Sequence, residues 1–438
     1  MKYEFSDIRV PIDEDNLSIC RDDSLCVKCG ACKNICKFNV GVYDNYDLNK
    51  SKKAICIGCG QCSLVCPTES ICERKDYIKV KEIMKSDKVK VFQVAPSVRA
   101  SLGEEFKMEL GTNVIGKIVT ALKELGADYV FDTNFGADLT IMEEANELVD
   151  RISNNNVMPM FTSCCPAWVK YVETFYPEFI PNLSTCKSPI LMQGSIIKNY
   201  FSKVNNIDRE NIVSIAVTPC TAKKMEIKRE EFDGDVDYVI TTRELAKWIK
   251  EEKIKFKNLE DTPFDDMMGS GTGAAVIFGN SGGVMESALR TASYIVDKND
   301  ITLEFEELRG LSNVKETTVK LGDKELKVAV INGTGDAKKI LEKLKLGEVS
   351  YDFMEVMACE GGCIAGGGQS REHFPISGEV KNKRKECLFE IDKSCKKRKS
   401  YENEDVKRVY DEFLDKPLSE NAHKYLHTSY VDRSSDLG

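Results

Sequence analysis

Cysteine is the residue type that most clearly offers chemistry in this chain of 438 residues. The sequence contains 18 cysteines but only three histidines. In a reducing compartment, so many thiols are typical of metal ligands or catalytic groups rather than of disulfides. Because thiolates bind iron-sulfur clusters, zinc and copper(I), the spacing of the cysteines has to distinguish among these metals.

Two cysteine-rich runs stand close together near the start of the chain, CVKCGACKNIC and CIGCGQCSLVCP. Each has the spacing C-x2-C-x2-C-x3-C of bacterial ferredoxins, in which three cysteines bind one cubane and the fourth binds the other. The sequence therefore predicts two 4Fe-4S clusters. The predicted ligands are Cys26, Cys29, Cys32 and Cys66 for one cluster, and Cys56, Cys59, Cys62 and Cys36 for the other.

A zinc ribbon is the alternative for these runs, but it needs only four thiolates from paired C-x2-C hooks. Eight cysteines in a double register favour the two clusters. Gly30, Gly58 and Gly60 lie between ligands, where we expect the backbone to approach inorganic sulfide closely. Cys20 and Cys72 fall outside the pattern and are predicted to be ordinary thiols.

Three later segments carry further cysteines: TSCCPAW, TPCTAKKME and MACEGGCIAGGGQ. Cys359 and Cys363 share a face if a helix begins there, and the three glycines that follow permit close approach to a bulky inorganic group. With Cys220 they provide three thiolates, so a fourth must come from the adjacent pair Cys164 and Cys165. Neighbours on an extended strand point to opposite sides, so one thiol can bind a cluster while the other faces something else.

Short buried strands alternate with helices along the rest of the chain, which predicts an α/β fold of parallel sheets flanked by helices. Several of the chemical residues come directly after strands, where open α/β sheets bind ligands. We therefore expect two lobes whose strand ends face a shared site. The predicted helices are DLTIMEEANELVDRIS, TRELAKWIKEEK and DAKKILEKLK, and the predicted strands are KVKVFQVA, ADYVFDTN, VMPMFTS, NIVSIAVTPC, DVDYVITT, KVAVING and YDFMEVMAC.

The three later segments resemble, in order, the three signature motifs of the iron-only (FeFe) hydrogenases, and the closing KRKSYENEDVKRVYDEFLDKPLSENAHKYLH resembles that family's C-terminal region. The resemblance implies a small α+β ferredoxin-like domain over residues 1–80 and a two-lobed catalytic domain over 81–438. It also implies a six-iron H-cluster, a 4Fe-4S cubane joined to a diiron site with CO, cyanide and a dithiolate amine. The implied cubane ligands are Cys165, Cys220, Cys359 and Cys363, with Cys363 bridging to the diiron site.

The same resemblance assigns Cys164 to proton transfer rather than to iron, because a thiol pKa can be tuned widely by its surroundings. It extends the proton route through Glu144, Ser184, Glu147 and Arg151. The two glutamates and the arginine lie at i, i+3 and i+7 of one helix and hence on one face. Without the neighbouring motif, such a pattern would be typical of a solvated surface pair.

Further residues match groups that surround the family's cofactor. Lys223 and Ser97 match donors to cyanide, while Met357 and Phe278 match apolar shielding residues for which ordinary core packing is the alternative. Thr218 departs from the usual methionine, which predicts a change in polarity and hydrogen bonding near the diiron unit. Ile190, Ser370 and Ala167 also depart from the common pattern, and Cys186, Cys387 and Cys395 match no ligand and are predicted to be structural or surface thiols.

The resemblance implies reversible interconversion of H2 with two protons and two electrons, with ferredoxin or flavodoxin as carrier and maturation proteins to build the diiron unit. An iron-sulfur scaffold and a slow hydrogen sensor are the rival functions.

The net charge of −9 argues against a nucleic-acid surface. No long apolar run or signal-peptide pattern begins the chain, so we expect a cytoplasmic protein without a membrane partner. The basic stretch 381–399 is predicted to be a solvated surface, with docking of an acidic electron carrier as the alternative.

Overall fold

A computed structural model describes residues 8–232, 234–298 and 303–438. The first seven residues, which belong to the predicted 1–80 domain and to the segment tested for a signal peptide, lie outside the described residues. The strands are β1 (Ile19–Arg21), β2 (Ile71–Glu73), β3 (Val89–Val94), β4 (Tyr129–Asp132), β5 (Met160–Phe161), β6 (Ile212–Thr218), β7 (Tyr238–Thr241), β8 (Val314–Leu321), β9 (Lys324–Asn332) and β10 (Phe353–Met357).

Helices cover these strands and form most of the remaining structure. They are α1 (Ala31–Phe38), α2 (Leu48–Ser51), α3 (Gln61–Leu64), α4 (Tyr77–Ile83), α5 (Ile115–Glu124), α6 (Thr133–Ser153), α7 (Pro166–Phe175), α8 (Pro189–Ile196), α9 (Ser202–Val204), α10 (Ala222–Glu226), α11 (Thr242–Glu251), α12 (Gly273–Ile277), α13 (Gly283–Val296), α14 (Thr334–Lys345), α15 (Gly378–Ser394), α16 (Glu404–Val409) and α17 (Glu420–Leu426).

Two four-stranded sheets confirm the predicted two-lobed α/β architecture. The first sheet has the order β4-β3-β6-β7 and is parallel throughout. Its central strand β6 is buried at every residue, as expected for an apolar strand covered on both faces. The second sheet has the order β5-β10-β9-β8, in which β10 lies parallel to both β5 and β9.

Strand β8 is the exception to the parallel arrangement, because it pairs antiparallel with β9. The two strands are joined by Gly322 and Asp323, and Gly322 has φ of +59°, which a tight hairpin turn requires. β8 lies at the sheet edge and is only partly buried. The sequence analysis did not identify this strand, since its exposed polar residues lack the apolar run of its neighbours.

Strand β5 is shorter than the predicted strand VMPMFTS, because only Met160 and Phe161 pair in the sheet. Pro159 has no N–H to donate, which ends the pairing on that side. β5 lies at the end of the sheet beside β10, and on its other side Phe161 forms a single parallel bridge with Leu183. The residues that follow it are therefore free to turn into the cavity described below.

Helix α15 contradicts the prediction that the basic stretch 381–399 is simply a solvated surface. Arg384 is fully buried, and its guanidinium donates to both carboxylate oxygens of Glu104 at 2.7 Å. Asp392 on the same helix is also buried and pairs with Arg290 at 2.9 Å. Buried charges persist when they are paired and hydrogen-bonded, so part of this charged helix is interior structure.

The N-terminal cysteine runs fold around the antiparallel pair β1 and β2. In this pair Cys20 lies opposite Cys72, with 3.5 Å between the two sulfur atoms. A hydrogen bond from the Cys72 thiol lowers the pKa of Cys20 to about 7. The chain then enters α4, where Tyr77 and Val80 are buried in the core of the first lobe, so residue 80 falls inside a helix packed against that lobe.

The N-terminal segment packs directly against the two lobes, and glycine permits the close approach. The Gln61 side chain donates to the Cys359 sulfur at 3.1 Å, and Thr221 donates to the Gly58 carbonyl at 2.7 Å. A Cβ atom at Gly367 would lie 2.4 Å from the Cys59 carbonyl oxygen. The absence of a side chain at Gly367 therefore allows the two backbones to approach.

Replacing Gly367 with alanine is expected to separate these backbones and lower the free energy of unfolding by about 1–3 kcal/mol, the usual cost of overpacking. Scanning calorimetry of the whole chain measures the change as a lower unfolding temperature. Gly378→Ala is the matched control, because nothing lies within 4 Å of the Cβ position at Gly378. Equal unfolding temperatures for Gly367→Ala and wild type would contradict the close-packing argument.

Candidate active site

A cavity lies where the carboxyl ends of strands from both lobes meet. Residues directly after β3, β5, β6 and β10 form its wall, as the strand-end argument predicts. The four cysteines predicted to hold the cubane and all five predicted cofactor-contacting residues line this cavity together with Cys164. They are Cys165, Cys220, Cys359, Cys363, Ser97, Lys223, Met357, Phe278 and Thr218.

The four cysteines reach the cavity from different elements. Cys165 caps the N-terminus of α7, and Cys220 follows β6. The expected shared helical face of Cys359 and Cys363 is not formed, because a turn separates them and Cys363 begins a short 3-10 helix. Gly361 and Gly362 have φ of +97° and +85°, so glycine conformational freedom, not helical periodicity, brings the two sulfurs to the same cavity.

The glycine run after Cys363 is explained by contacts with protein atoms. A Cβ at Gly366 would lie 2.5 Å from the Pro219 carbonyl oxygen, and one at Gly368 would lie 2.6 Å from the Thr241 Cβ. Together with Gly367 against Cys59, the run packs the Cys363 loop against both the Cys220 loop and the N-terminal segment. This packing keeps ligands from distant parts of the sequence close together.

The surroundings of the four thiols are better suited to a bound metal cluster than to four thiols without a metal. Burial is the main cause that raises the pKa of all four, and for Cys220, Cys359 and Cys363 repulsion from neighbouring thiolates adds to it. For Cys220 the pKa rises to about 11. Thiolate charge in such a place needs a compensating positive centre, and metal ions provide one. The residues present therefore fit an iron-sulfur group, with Cys165, Cys220, Cys359 and Cys363 available as its ligands.

Cys164 shares the cavity but has a different surrounding from Cys165. Burial, followed by the nearby Glu144 carboxylate, raises the pKa of Cys164 well above its ordinary value, which keeps the thiol protonated. Its carbonyl oxygen accepts a hydrogen bond from Lys223 Nζ at 3.1 Å. Lys223 is also paired with Glu226 at 2.9 Å, and although burial opposes its charge, that partner raises its pKa.

The hydroxyl groups at the cavity wall are bonded to the ligand loops. Ser97 donates to the Cys363 carbonyl at 3.4 Å, and Thr218 donates to the Cys220 carbonyl at 3.2 Å. The Thr218 oxygen also accepts from the Cys220 amide at 3.3 Å. Met357 and Phe278 line the cavity while belonging to the core of the second lobe, so the shielding and packing interpretations describe the same contacts.

The five predicted proton-route residues lie along and beside helix α6, which is buried for most of its length. Ser184 donates to Glu147 Oε2 at 2.7 Å, and Arg151 Nη2 donates to Glu147 Oε1 at 2.6 Å. Neither carboxylate oxygen of Glu144 has a hydrogen-bond partner within the described part of the chain. Burial, with repulsion from Glu147 next, raises the pKa of Glu144 to about 8.

The structure also brings together each predicted set of N-terminal ligands. Cys26, Cys29, Cys32 and Cys66 line one small cavity. The pKa of Cys62 is raised by burial and then by the charges of Cys59, Cys56 and Cys36, which places these four thiols near one another. Because Gln61 bonds to Cys359, this second set adjoins the main cavity, while the first set includes the exposed Cys29.

Several buried polar residues near Glu147 were not identified as site residues from the sequence. Cys186 was predicted to be a structural or surface thiol, yet it is buried with its sulfur 3.8 Å from Glu147 Oε2. His427 and Glu143 are also buried, with 3.0 Å between Nε2 and Oε2. No sequence motif connects Cys186, His427 and Glu143, because they lie far apart in the chain. The one sequence signal for this group was that histidine is rare, which makes each histidine a candidate for a specific role.

The fold and the cavity define a buried, cysteine-rich redox site between two α/β lobes, and comparison with known proteins identifies the family. Residues 88–367 match the iron only hydrogenase large subunit, C-terminal domain, and residues 378–433 match the iron hydrogenase small subunit. The chain is 43% identical over 441 residues to Iron hydrogenase 1 of Clostridium pasteurianum, covering 96% of this chain and 77% of the relative. The chain belongs to the iron-only hydrogenase family of enzymes, and this membership implies an iron-sulfur H-cluster.

Two further comparisons bear on fold and function. The structure of apo [FeFe]-hydrogenase HydA1 from Chlamydomonas reinhardtii matches with a TM-score of 0.73 and 36% identity, covering 81% of this chain and 98% of that chain. The chain is also 32% identical over 363 residues to the cytosolic Fe-S cluster assembly factor narfl of Danio rerio, covering 78% of this chain and 86% of the relative. The lower identity to the assembly factor does not favour the scaffold alternative.

The raised pKa of Glu144 predicts a specific pH dependence of stability. Between its ordinary pKa of 4.5 and the folded value of about 8, the folded chain binds the proton more tightly than the unfolded chain. Wild type therefore loses stability relative to Glu144→Gln as the pH rises through this window, by on the order of a few kcal/mol. Denaturant unfolding at several pH values measures the difference, with exposed Glu348→Gln as control. A difference that does not change with pH would contradict the raised pKa.

Proposed function

We propose that this chain catalyses the reversible interconversion of H2 with two protons and two electrons at an H-cluster held by Cys165, Cys220, Cys359 and Cys363. The observation that carries the proposal is the convergence of these four thiols, Cys164 and Lys223 on one cavity. When bound, the H-cluster supplies the iron chemistry that makes and breaks the hydrogen–hydrogen bond. The protein supplies the ligands, a mostly apolar enclosure and separate routes for protons and electrons.

Proton transfer in this proposal begins at Cys164, which stays a thiol because burial opposes its ionisation. Glu144 is the next carrier, since its pKa of about 8 lets it hold and release a proton near neutral pH. Within the described residues its carboxylate has the Ser184 hydroxyl nearby but no close hydrogen bond, so neither protonation state is locked. Ser184 and Glu147 continue the route through their 2.7 Å hydrogen bond.

Electron transfer uses the opposite side of the cavity. Two 4Fe-4S clusters would be bound by the N-terminal cysteines, the one near Gln61 adjoining Cys359 and the other lying near the exposed Cys29. This order leads from the surface to the cavity. A ferredoxin or flavodoxin is the proposed carrier at the exposed end, and maturation proteins would build the diiron unit.

A reducing, cytoplasmic setting belongs to the same proposal. All 18 cysteines are free of disulfides, as thiol ligands require. Among the described residues, no helix has both the length and the apolar character needed to cross a bilayer. The proposed partners are therefore small molecules and other proteins.

The rival functions are distinguished by groups that they do not need. A cluster scaffold requires ligands, but it has no use for a thiol beside an unpartnered buried glutamate or for Lys223 at the cavity wall. A hydrogen sensor with little turnover does not require a continuous proton route. The retained proton-route residues favour the enzyme over both alternatives.

Infrared spectroscopy of protein matured under anaerobic conditions is the direct test of this function. The expected result is a set of CO and cyanide stretching bands together with hydrogen turnover. Iron-sulfur clusters without these bands would support the scaffold function instead. Bands with almost no turnover would support the sensor.

Replacing Cys164 with alanine tests the division of roles between the two adjacent thiols. Iron content and the CO and cyanide bands are expected to stay close to wild type, while turnover falls by roughly 100-fold or more, because the first proton carrier is removed. Cys395→Ala is the control, since Cys395 lies outside the cavity wall. A Cys164→Ala protein with normal turnover, or one that has lost iron from the cubane, would reject the assigned role.

A further inference from the structure

The proposed proton route reaches Glu147, but Arg151 is poorly suited to take the next step. A guanidinium keeps its proton throughout the usable pH range, so it does not exchange protons readily. Arg151 is buried, and besides Glu147 it donates to the carbonyl oxygens of Leu183 at 2.8 Å and Pro181 at 3.2 Å. These bonds fasten the loop after α7 to α6. Arg151 therefore positions Glu147, and another group must connect Glu147 with solvent.

The other side of Glu147 carries groups that can exchange protons. The Thr185 amide donates to Glu147 Oε2 at 3.1 Å, and the Cys186 sulfur lies 3.8 Å from the same oxygen. One ligand atom each of Glu147, Cys186 and His427 lies within 4.8 Å of the other two. All three residues are buried, so this contact is shielded from bulk water.

The hydrogen bonds of His427 leave one ring nitrogen able to accept a proton. Nε2 lies 3.0 Å from Glu143 Oε2, and a carboxylate can only accept, so Nε2 carries the hydrogen. Nδ1 lies 2.7 Å from Thr185 Oγ1 and accepts from that hydroxyl. An imidazole whose two nitrogens differ in this way can take a proton on one side and release one on the other.

His427 also leads to the surface. Its ring centroid is 4.3 Å from that of His423, one helical turn earlier, and His423 is exposed. The segment is held in place by a backbone bridge between Cys186 and His427 and by the hydrogen bond from the Thr428 amide to the Thr185 carbonyl at 2.8 Å. The C-terminal region thus adds a fixed imidazole pair to the outer end of the proposed route.

We propose that His427, with Thr185 and Cys186, forms a proton branch that connects Glu147 with the exposed His423. The proposal rests on the proposed hydrogenase function and extends its proton route. A proton released from Glu147 passes by way of the Cys186 thiol to Nδ1 of His427, where the Thr185 hydroxyl also lies. The Nε2 proton passes to its acceptor, the Glu143 carboxylate, whose charge acts on the neighbouring His423. The reverse sequence delivers protons for H2 formation, and no electrons move in the branch.

A purely structural role is the alternative, in which the His427–Glu143 pair only anchors the C-terminal segment. The titratable groups around His427 are Glu143 and Glu147 from α6, Cys186 from the loop before α8, His423 from its own helix, and Tyr410 and Tyr430. Tyr410 donates to Glu143, and Tyr430 donates to the Ser184 carbonyl at 2.9 Å. A test must therefore keep the anchoring hydrogen bond and remove only the exchangeable imidazole.

His427→Gln meets this requirement, because a glutamine amide can still donate to Glu143 but cannot relay a proton. The measurement is hydrogen turnover of the matured enzyme as a function of pH, with the solvent isotope effect. His427→Gln is expected to lower turnover by at least about tenfold near neutral pH, to change the shape of the pH profile and to recover in part with added imidazole. His373→Gln, a change at the remaining histidine, which is exposed, is the matched control and should resemble wild type.

The outcomes separate this proposal from the function on which it rests. If wild type lacks CO and cyanide bands and turnover, the hydrogenase function itself fails. If wild type is active and His427→Gln is folded and loaded, with normal bands, but has an unchanged pH profile, the branch is rejected. If His427→Gln does not fold, His423→Gln decides the question: a lower turnover that imidazole restores supports the branch, and a wild-type profile overturns it.

Discussion

Burial of ionisable groups in a shared apolar cavity is the constraint on which the rest of this structure depends. Four buried thiols that line one cavity repel one another once they ionise, and burial weakens the screening of their charges. Every nearby charge is arranged accordingly: Lys223 is paired with Glu226, Arg151 with Glu147, and the unpaired Glu144 has a pKa raised to about 8. Lys223 lies at the cavity wall, but one lysine cannot balance four thiolate charges, which is why the site fits an iron-sulfur group.

In the proposed function, the two kinds of charge transfer use different parts of the cavity wall. On one side Gln61 bonds to Cys359, so the N-terminal thiols adjoin a predicted ligand directly. On the other side Cys164 adjoins Glu144, and α6 continues away from the cavity to Glu147. In that proposal, protons and electrons meet at the cavity lined by the four predicted ligand thiols. The glycine run maintains this arrangement, because Gly366, Gly367 and Gly368 allow three separate segments to touch.

Much of this could be predicted from the sequence, because the informative signals were local or depended on known spacing. The buried strand β6 and the cysteine runs were readable from apolar runs and fixed intervals, and the strand-end rule then placed Cys220 at the cavity. The turn between Cys359 and Cys363 could not be predicted, because a spacing of four residues is compatible with a helix as well as with a glycine turn. The burial of Arg384 depends on Glu104, far away in sequence, and His427 meets Glu147 only through tertiary packing.

Thr218, which the resemblance marks as a departure from methionine, shows how the structure changes an inference made from residue type. A hydroxyl at a cavity wall suggests a new polar group facing the cofactor, but the Thr218 oxygen bonds to both the amide and the carbonyl of Cys220. A hydroxyl with both its donor and an acceptor site engaged has little capacity left for another partner. Thr218 therefore acts chiefly on the conformation of a ligand loop, and the wall there stays nearly as apolar as a methionine would make it while leaving more space. If threonine in place of methionine changes the redox behaviour of the site, we expect two causes: the volume of the cavity and the placement of the Cys220 sulfur. A hydrogen bond from Thr218 to the cofactor is not expected to be a cause.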